Sequence, residues 1–232
     1  MSAELNNLQG FLADTPLFSG LSSDELTRIA QSSALKHYAK GATIFSVGEA
    51  CEAFHVVASG QVKLFVVSAA GNEKVVEIIS AGQSFAEALV FLGKPYILSA
   101  QALADTVLVT VSKRGVIKEI ERDPHFAMHM LIGVSRRLHG LVQDVESYAL
   151  CNGMQRLIGF LLRDVEIDPV SGQNSVTVSL PASKATIASR LSLTPEYFSR
   201  VLHELEAQQL ITINRRDIRI LDVKKLLGYG AQ

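Results

Sequence analysis

The hydrophobic residues of this chain follow two periods, one typical of strands and one typical of helices. Short runs rich in β-branched residues fill the segment from about residue 34 to residue 112, and such runs between turn residues are typical of strands. The predicted strands are 43–47, 53–58, 61–67, 74–79 and 106–111. Glycines recur between them at Gly41, Gly48, Gly60, Gly71 and Gly82. We therefore expect tight turns in a small antiparallel barrel or jelly roll.

A short helix is predicted before these strands. The run Ser22-Ser23-Asp24-Glu25 has the spacing of a capping box, and apolar residues at Leu26, Ile29 and Ala30 follow it. In a capping box the serine and glutamate side chains bond each other's backbone N–H groups, which starts a helix. The strands therefore have a helical lead-in.

A long helix with an apolar seam is predicted from near Pro124. Its apolar residues are spaced alternately by four and three, which is a 3.5-residue period over about three heptads. A single helix with such a seam needs a partner, and a second copy of the chain is the simplest one. Packing of the seam against the chain's own barrel is the alternative. The seam residues are Ala127, Leu131, Val134, Leu138, Leu141, Val145 and Tyr148.

The last third of the chain predicts a joint at Asn152-Gly153, a helix over 155–165, a turn over 168–172 and an alternating strand from Val176 to Leu180. Two helices joined by a short turn follow. Ser183 can cap the first helix, and Thr194 can cap the second helix, in which Pro195 takes the first position. The buried faces are expected at Ile187, Ala188, Leu191, Phe198, Val201, Leu202 and Leu205. The runs 210–213 and 218–221 then flank a basic tip, as in a two-stranded wing.

This layout is typical of a helix-turn-helix that reads DNA, in which the start of the second helix faces the major groove. Glu196, Ser199 and Arg200 share one face there. A carboxylate can accept from cytosine, and an arginine can bond guanine through two N–H groups. The candidates for phosphate contacts are Ser183, Lys184, Arg190, Arg215, Arg216 and Arg219. There are two alternatives. The two helices could be a structural hairpin with a charged outer face, and the basic tip could be an ordinary solvated turn.

The expected fold class is α+β, in three parts. Residues 1–122 form an effector-sensing antiparallel β-barrel or jelly roll with its helical lead-in. Residues 123–150 form the dimerisation helix, and residues 151–232 form a winged helix-turn-helix that binds DNA.

Composition narrows the class of protein. The chain has 48% hydrophobic residues and a net charge of −1, which argues against indiscriminate nucleic-acid binding. Without an apolar run of about 18 residues or a basic-then-apolar leader, we expect a cytoplasmic protein with no membrane partner. Two separate cysteines, Cys51 and Cys151, exclude a four-cysteine metal site within one chain. No Ser/His/Asp, Cys/His or metal–carboxylate spacing indicates an enzyme.

Several segments resemble one family. They are Lys40-Gly41 through Phe45, Gly48-Glu49, Ser59-Gly60-Gln61-Val62-Lys63, Gly71-Asn72-Glu73-Lys74, Phe85-Ala86-Glu87-Ala88 and Ala182-Ser183-Lys184 through Phe198-Ser199-Arg200. In this order they resemble the Crp/Fnr superfamily of bacterial transcription regulators, and most of all its Dnr-type branch, which responds to nitric oxide through haem. The resemblance implies a homodimer on an inverted repeat, TTGAT-N4-ATCAA, read by Glu196, Ser199 and Arg200. It also implies that the hairpin tip 68–73 contacts RNA polymerase.

The resemblance places an effector pocket at Phe85, Glu87, Leu98, Ser99 and Leu138. Relatives that bind cyclic nucleotides carry Gly-Glu and then Arg-Ser, and their arginine binds the phosphate. This chain has Ala86 and Leu98 at the glycine and arginine positions, so we expect no cyclic AMP. Its N-terminus lacks the cysteine cluster of the iron–sulfur members. Haem stays a candidate cofactor with His55, His37 and Cys51 as candidate ligands, and a small organic effector between Leu98, Ser99 and the seam helix is the alternative.

Overall fold

The computed structural model describes residues 2–18, 20–163, 165 and 175–230. The chain divides into two compact units, Met1–Leu141 and Val142–Gln232. One helix of 27 residues, Pro124–Leu150, contributes to both. None of the described helices combines the length and the apolarity that crossing a bilayer requires.

The first unit begins with two helices, α1 (Ser2–Ala13) and α2 (Ser23–Gln31). A short 3-10 turn at Pro16–Phe18 separates them. The capping box predicted at the start of α2 is confirmed, because the Ser22 side chain accepts from the Glu25 N–H and the Glu25 carboxylate accepts from the Ser22 N–H.

Eight strands form two four-stranded antiparallel sheets. They are β1 (Ser33–Tyr38), β2 (Thr43–Phe45), β3 (Ala53–Ser59), β4 (Gln61–Val67), β5 (Glu73–Ser80), β6 (Ser84–Phe85), β7 (Ser99–Ala102) and β8 (Thr106–Ser112). One sheet has the order β1-β8-β3-β6 and the other β2-β7-β4-β5. The expected antiparallel jelly roll is therefore confirmed, although the sheets do not close into one barrel.

The predicted glycine turns are also confirmed. Gly41, Gly48, Gly60, Gly71 and Gly82 all have positive φ angles, between 81° and 90°. Gly60 is required for a second reason, since a Cβ built on it would lie 2.5 Å from the Asp105 carbonyl oxygen. A side chain at this turn would therefore collide with backbone as well as strain φ.

Three helices complete the first unit and lead out of it. They are α3 (Glu87–Leu92), α4 (Lys113–Arg122) and the long helix α5 (Pro124–Leu150). Phe126 and Met130 at the start of α5 are buried. Further along, the helix exposes large apolar residues, including Leu131, Leu138, Leu141 and Val145. The prediction of a long helix from Pro124 is confirmed, and these four seam residues are exposed in the single chain.

The second unit contains α6 (Gly153–Leu162), β9 (Val176–Ser179), α7 (Lys184–Arg190), α8 (Pro195–Ala207), β10 (Ile211–Asn214), β11 (Asp217–Ile220) and α9 (Val223–Gly230). The strands form an antiparallel sheet in the order β10-β11-β9. Fully buried residues from α6, α7, α8 and the sheet form its core, namely Leu157, Ile187, Phe198, Leu202 and Ile218. The turn predicted over 168–172 lies outside the described residues.

Candidate nucleic-acid interface and sensor pocket

The turn between α7 and α8 has the hydrogen bonds that its sequence predicts. The Ser183 Oγ accepts from the Thr186 N–H at 3.1 Å and caps α7, and the Thr194 Oγ1 accepts from the Tyr197 N–H at 3.2 Å and caps α8. Between them Ser192 has a φ of 56°, and the Leu193 N–H donates to the Ala188 carbonyl at 2.9 Å. A left-handed residue just after a helix ends it by this hydrogen-bond pattern. Ser192 therefore has the conformation that glycine favours.

Helix α8 has one buried face and one exposed face. Phe198, Val201, Leu202 and Leu205 are buried, as predicted. Glu196 and Arg200 are exposed and Ser199 is half-buried. These three lie within the first two turns of the helix, so one surface presents a carboxylate, a hydroxyl and a guanidinium.

Most of the predicted phosphate contacts lie on the surface. Ser183 is exposed at the start of α7, and Lys184 is half-buried beside it. The wing consists of β10 and β11 with Arg215 and Arg216 at the turn between them, and Arg215 has a φ of 56°. Arg215, Arg216 and Arg219 are exposed. The wing tip therefore carries solvent-accessible positive charge.

Arg190 is the exception, and its prediction as a phosphate contact is wrong. The residue is only 5% exposed. Its Nη2 lies 2.5 Å from the Asp144 Oδ2, and its Nη1 donates to the Tyr148 hydroxyl, which donates in turn to the Arg190 carbonyl oxygen. Asp144 also binds Arg163 at 2.8 Å. Arg190 therefore attaches α7 to the end of α5, and a guanidinium held in this way cannot extend to DNA.

Four of the five predicted pocket residues lie in or beside the jelly roll, and the fifth, Leu138, lies on α5. Phe85 and Glu87 are buried, and the Glu87 carboxylate accepts from the Ser84 hydroxyl. The Ser99 Oγ accepts from the Val47 N–H at 3.1 Å. Leu98 is half-buried, and Leu138 is 61% exposed. The polar groups at Glu87 and Ser99 are thus bonded within the jelly roll.

Ala86 keeps the backbone conformation that suits glycine. It lies between β6 and α3 with a φ of 71°. Alanine in the left-handed region costs about 1–2 kcal/mol, so the surrounding structure holds this turn against its preference. The left-handed turn is therefore kept with alanine at residue 86, and Leu98 brings no charge to the predicted pocket.

Of the three candidate haem ligands, His55 and Cys51 both lie beside the Tyr96 hydroxyl, and His37 lies apart from them. His55 is buried, with Nδ1 3.1 Å from the Thr110 Oγ1 and Nε2 3.3 Å from the Tyr96 hydroxyl. Loss of hydration lowers the pKa of His55 to about 3, and the charge of Lys36 adds to this effect. His37 pairs with Val107 and His55 with Thr110. Since Val107 and Thr110 are three residues apart on β8, the two histidines lie on opposite faces of the sheet.

Cys51 is a buried thiol that donates to the Ala53 carbonyl at 3.4 Å. Burial raises its pKa, which disfavours the thiolate that iron binds. Within the described residues no three His, Cys, Asp or Glu side chains gather as metal ligands do. Both nitrogens of His55 are already bonded and the Cys51 thiol is buried, so these two residues do not fit a haem iron in this arrangement. His37 is exposed on the other face of the sheet.

Comparison with known proteins agrees with this architecture. Residues 35–123 match the model of the cyclic nucleotide-binding domain, and residues 155–229 match the model of the Crp-like helix-turn-helix domain. The sequence of DNR from Pseudomonas aeruginosa is 33% identical to this chain. Its crystal structure matches the present structure with a TM-score of 0.52, over 94% of this chain and 95% of the DNR chain.

A further relative and a further solved structure extend the comparison. The cyclic AMP receptor protein of Thermus thermophilus is 27% identical over 178 residues, which are 71% of this chain and 82% of that protein. FixK2 from Bradyrhizobium japonicum shares the fold, with 22% identity, a TM-score of 0.74, and coverage of 86% of this chain and 98% of its own.

Proposed function

Because this chain belongs to the Crp/Fnr family of transcription regulators, we propose that it binds the inverted repeat TTGAT-N4-ATCAA as a homodimer under the control of a small effector. The exposed start of α8 carries the proposal. Glu196 and Arg200 present an acceptor and a two-pronged donor to solvent, while Phe198 and Leu202 hold the opposite face in the core. These side-chain types match cytosine and guanine edges in the major groove.

The apolar face of α5 supports a homodimer. Leu131, Leu138 and Val145 repeat at intervals of seven and are 59%, 61% and 67% exposed. A helix that leaves such residues in water gains by burying them against a second helix with the same seam. Two copies would place two recognition helices about 34 Å apart, one turn of DNA.

The effector that we propose is a small molecule other than a cyclic nucleotide. Leu98 supplies no charge for a phosphodiester, and Ser99 and Glu87 already bond Val47 and Ser84. Binding of the effector would shift the seam helices and rotate the DNA-binding units about residues 149–153, where α5 ends and α6 begins. A preference of a few kcal/mol for one geometry is enough to switch occupancy of a promoter.

Nitric oxide sensed through haem is a separate hypothesis about the same unit, and the internal hydrogen bonds of His55 and the burial of Cys51 disfavour these two residues as its ligands. An anaerobic titration with haemin, followed in the Soret region, tests it. We expect no saturable spectrum with one haem per subunit. A saturable spectrum that shifts on addition of nitric oxide would contradict this expectation and identify a gas sensor with other ligands.

RNA polymerase is the further partner that we propose, at the hairpin tip between β4 and β5. The Ser68 N–H donates to the Asn72 carbonyl and the Gly71 N–H to the Ser68 carbonyl, which hold a tight exposed turn. The turn is accessible and has a defined shape, as a contact with polymerase would need.

Substitution of Glu196 tests DNA reading directly. Glu196→Ala is expected to relax discrimination at one base position by about 1–3 kcal/mol, with little change in non-specific binding. Binding-site selection with wild-type and variant protein measures it. Glu204, on the same helix but far from its start, supplies the matched control E204A, which should leave the selected sequence unchanged. An unchanged preference in E196A would refute the assignment.

A further inference from the structure

The Tyr197 side chain contacts both the base-reading Arg200 and Gly153, the residue at which α6 begins. The Arg200 Cζ lies 4.8 Å from the centroid of the Tyr197 ring, above its face. The edge of the same ring packs on Gly153, the first residue of α6, so closely that a Cβ built on Gly153 would lie 2.5 Å from the Tyr197 Cε1. The backbone of Gly153 thus limits the ring at its edge, and the Arg200 guanidinium covers its face.

We propose that Tyr197 is the positioning residue for the base-reading Arg200, and that residue 153 is glycine because a side chain there would displace the ring. This inference rests on the proposed reading of DNA by α8. It adds a residue that contributes to specificity by holding Arg200 rather than by bonding a base.

The physical basis is the rotamer freedom of arginine. A guanidinium on an exposed helix start samples many positions, and each must be given up when two N–H groups bond one guanine. A cation above an aromatic face is held by the ring quadrupole, and the planar group lies well on a planar ring. Tyr197 and Arg200 are three residues apart on α8, a spacing that brings side chains together on one helix face.

The ring itself is held in place by its surroundings. The Tyr197 N–H bonds the Thr194 cap at 3.2 Å. A Cβ on Gly153 would also lie 2.8 Å from the Leu193 Cδ2, so Leu193 and Tyr197 together close around the bare backbone of residue 153. Because the ring edge has no space to move toward α6, its face stays under Arg200.

The first test separates the aromatic face from the rest of the side chain. Full-length Y197L keeps an apolar side chain without a π face, and Y197F keeps the ring without the hydroxyl. Affinities are measured for two duplexes, TTGAT-N4-ATCAA and the same repeat with both guanine pairs replaced by adenine pairs. We expect the ratio of the two affinities to fall about 3- to 30-fold in Y197L. Y197F should stay within about twofold of wild type.

The second test uses two glycines of one helix. G153A should displace the ring and lower the same affinity ratio as Y197L does, whereas G159A is the matched control, since nothing lies within 4 Å of a Cβ built on Gly159. In the double variant G153A/Y197L the two effects should not add, because both act through the ring. Additive losses, or a G153A protein with wild-type discrimination, would overturn the proposal.

The outcomes distinguish this inference from the function on which it rests. R200A must discriminate between the two duplexes less than wild type does. A wild-type protein without that discrimination would overturn DNA reading by Arg200 and the role of Tyr197 together. If R200A discriminates less than wild type and Y197L discriminates as wild type does, only the role of Tyr197 is overturned.

Discussion

The buried histidine of the jelly roll makes the stability of this protein depend on pH. Burial lowers the pKa of His55 from its ordinary value of 6.5 to about 3. In the folded chain the imidazole therefore stays neutral at any pH well above 3. In the unfolded chain it is hydrated and takes up a proton as the pH falls through 6.5.

The sign and size of the effect follow from this difference. Below pH 6.5 the unfolded state binds more protons than the folded state, so acid favours unfolding. Each pH unit below 6.5 lowers the free energy of unfolding by about 1.4 kcal/mol, until the pH approaches the pKa of His55 in the folded state. Lowering the pH from 7 to 5 should therefore remove about 2 kcal/mol from the free energy of unfolding. Above pH 7 the contribution of His55 to the free energy of unfolding is fully present.

Urea unfolding of the full chain at the two pH values measures this loss. Far-UV circular dichroism is the suitable signal, because the chain has no tryptophan. The control is H55Q, since a glutamine amide can still bond Thr110 and Tyr96 but does not titrate. The other five histidines are common to both proteins, so their contributions cancel. We expect H55Q to lose about 2 kcal/mol less than wild type between pH 7 and pH 5.

Equal losses in the two proteins would refute the argument. If H55Q does not fold, the imidazole itself gives the answer in wild-type protein. Its nitrogen resonances should report a neutral ring at pH 5 in the folded state. A ring that protonates near pH 6 would show that the site is hydrated and that the predicted loss does not exist.

Three further predictions follow from the helices. Asp144→Ala takes away the carboxylate that the buried Arg190 guanidinium binds and should cost about 3 kcal/mol in urea unfolding. R163A, which removes the exposed partner of Asp144, should cost about 1 kcal/mol or less, and equal costs would contradict this. Leu138→Glu should weaken the dimer in sedimentation, while Q143E, on the opposite face of α5 by the heptad count, should not; a fully dimeric L138E protein would refute the seam. Gly159→Ala should raise stability by about 0.5–1 kcal/mol in thermal melting, because an exposed glycine inside a helix is replaced by the best helix former; a lower melting temperature would contradict it.

Features with local causes could be predicted from the sequence. The caps at Ser22, Ser183 and Thr194 each bond a backbone N–H three residues later, so the residues that make the bond are visible as a short motif. The strand over 61–67 was predicted with its observed bounds, because β-branched residues and a following turn mark it. Local hydrogen bonds and local periodicity need no knowledge of distant segments.

Elements without a local signal were missed. Strand β7 (Ser99–Ala102) alternates serine or glutamine with alanine, and its inward residues Ala100 and Ala102 are too small to give a hydrophobic pattern. Its strand conformation comes from pairing with β2 and β4 on either side. Only the assembled sheet supplies these partners, so tertiary pairing decided this element.

The candidate site divides in the same way. Sequence placed Glu196, Ser199 and Arg200 apart from the buried face of α8, because helical periodicity alone separates them from it. It placed Arg190 wrongly among the phosphate contacts, since the carboxylate that holds it, Asp144, lies 46 residues earlier. The packing of Tyr197 on Gly153 is likewise a contact between distant segments.

The sequence by itself therefore determined the caps, the glycine turns, the long helix α5 with its apolar seam and the side chains at the start of α8. These follow from bonds and periods within a few residues. The tertiary structure decided which polar groups are free. Arg190 and His55 look like functional residues in the sequence, but the folded chain buries both and gives their nitrogens internal partners. A side chain's availability depends on what packs against it, and packing joins residues that are far apart in sequence.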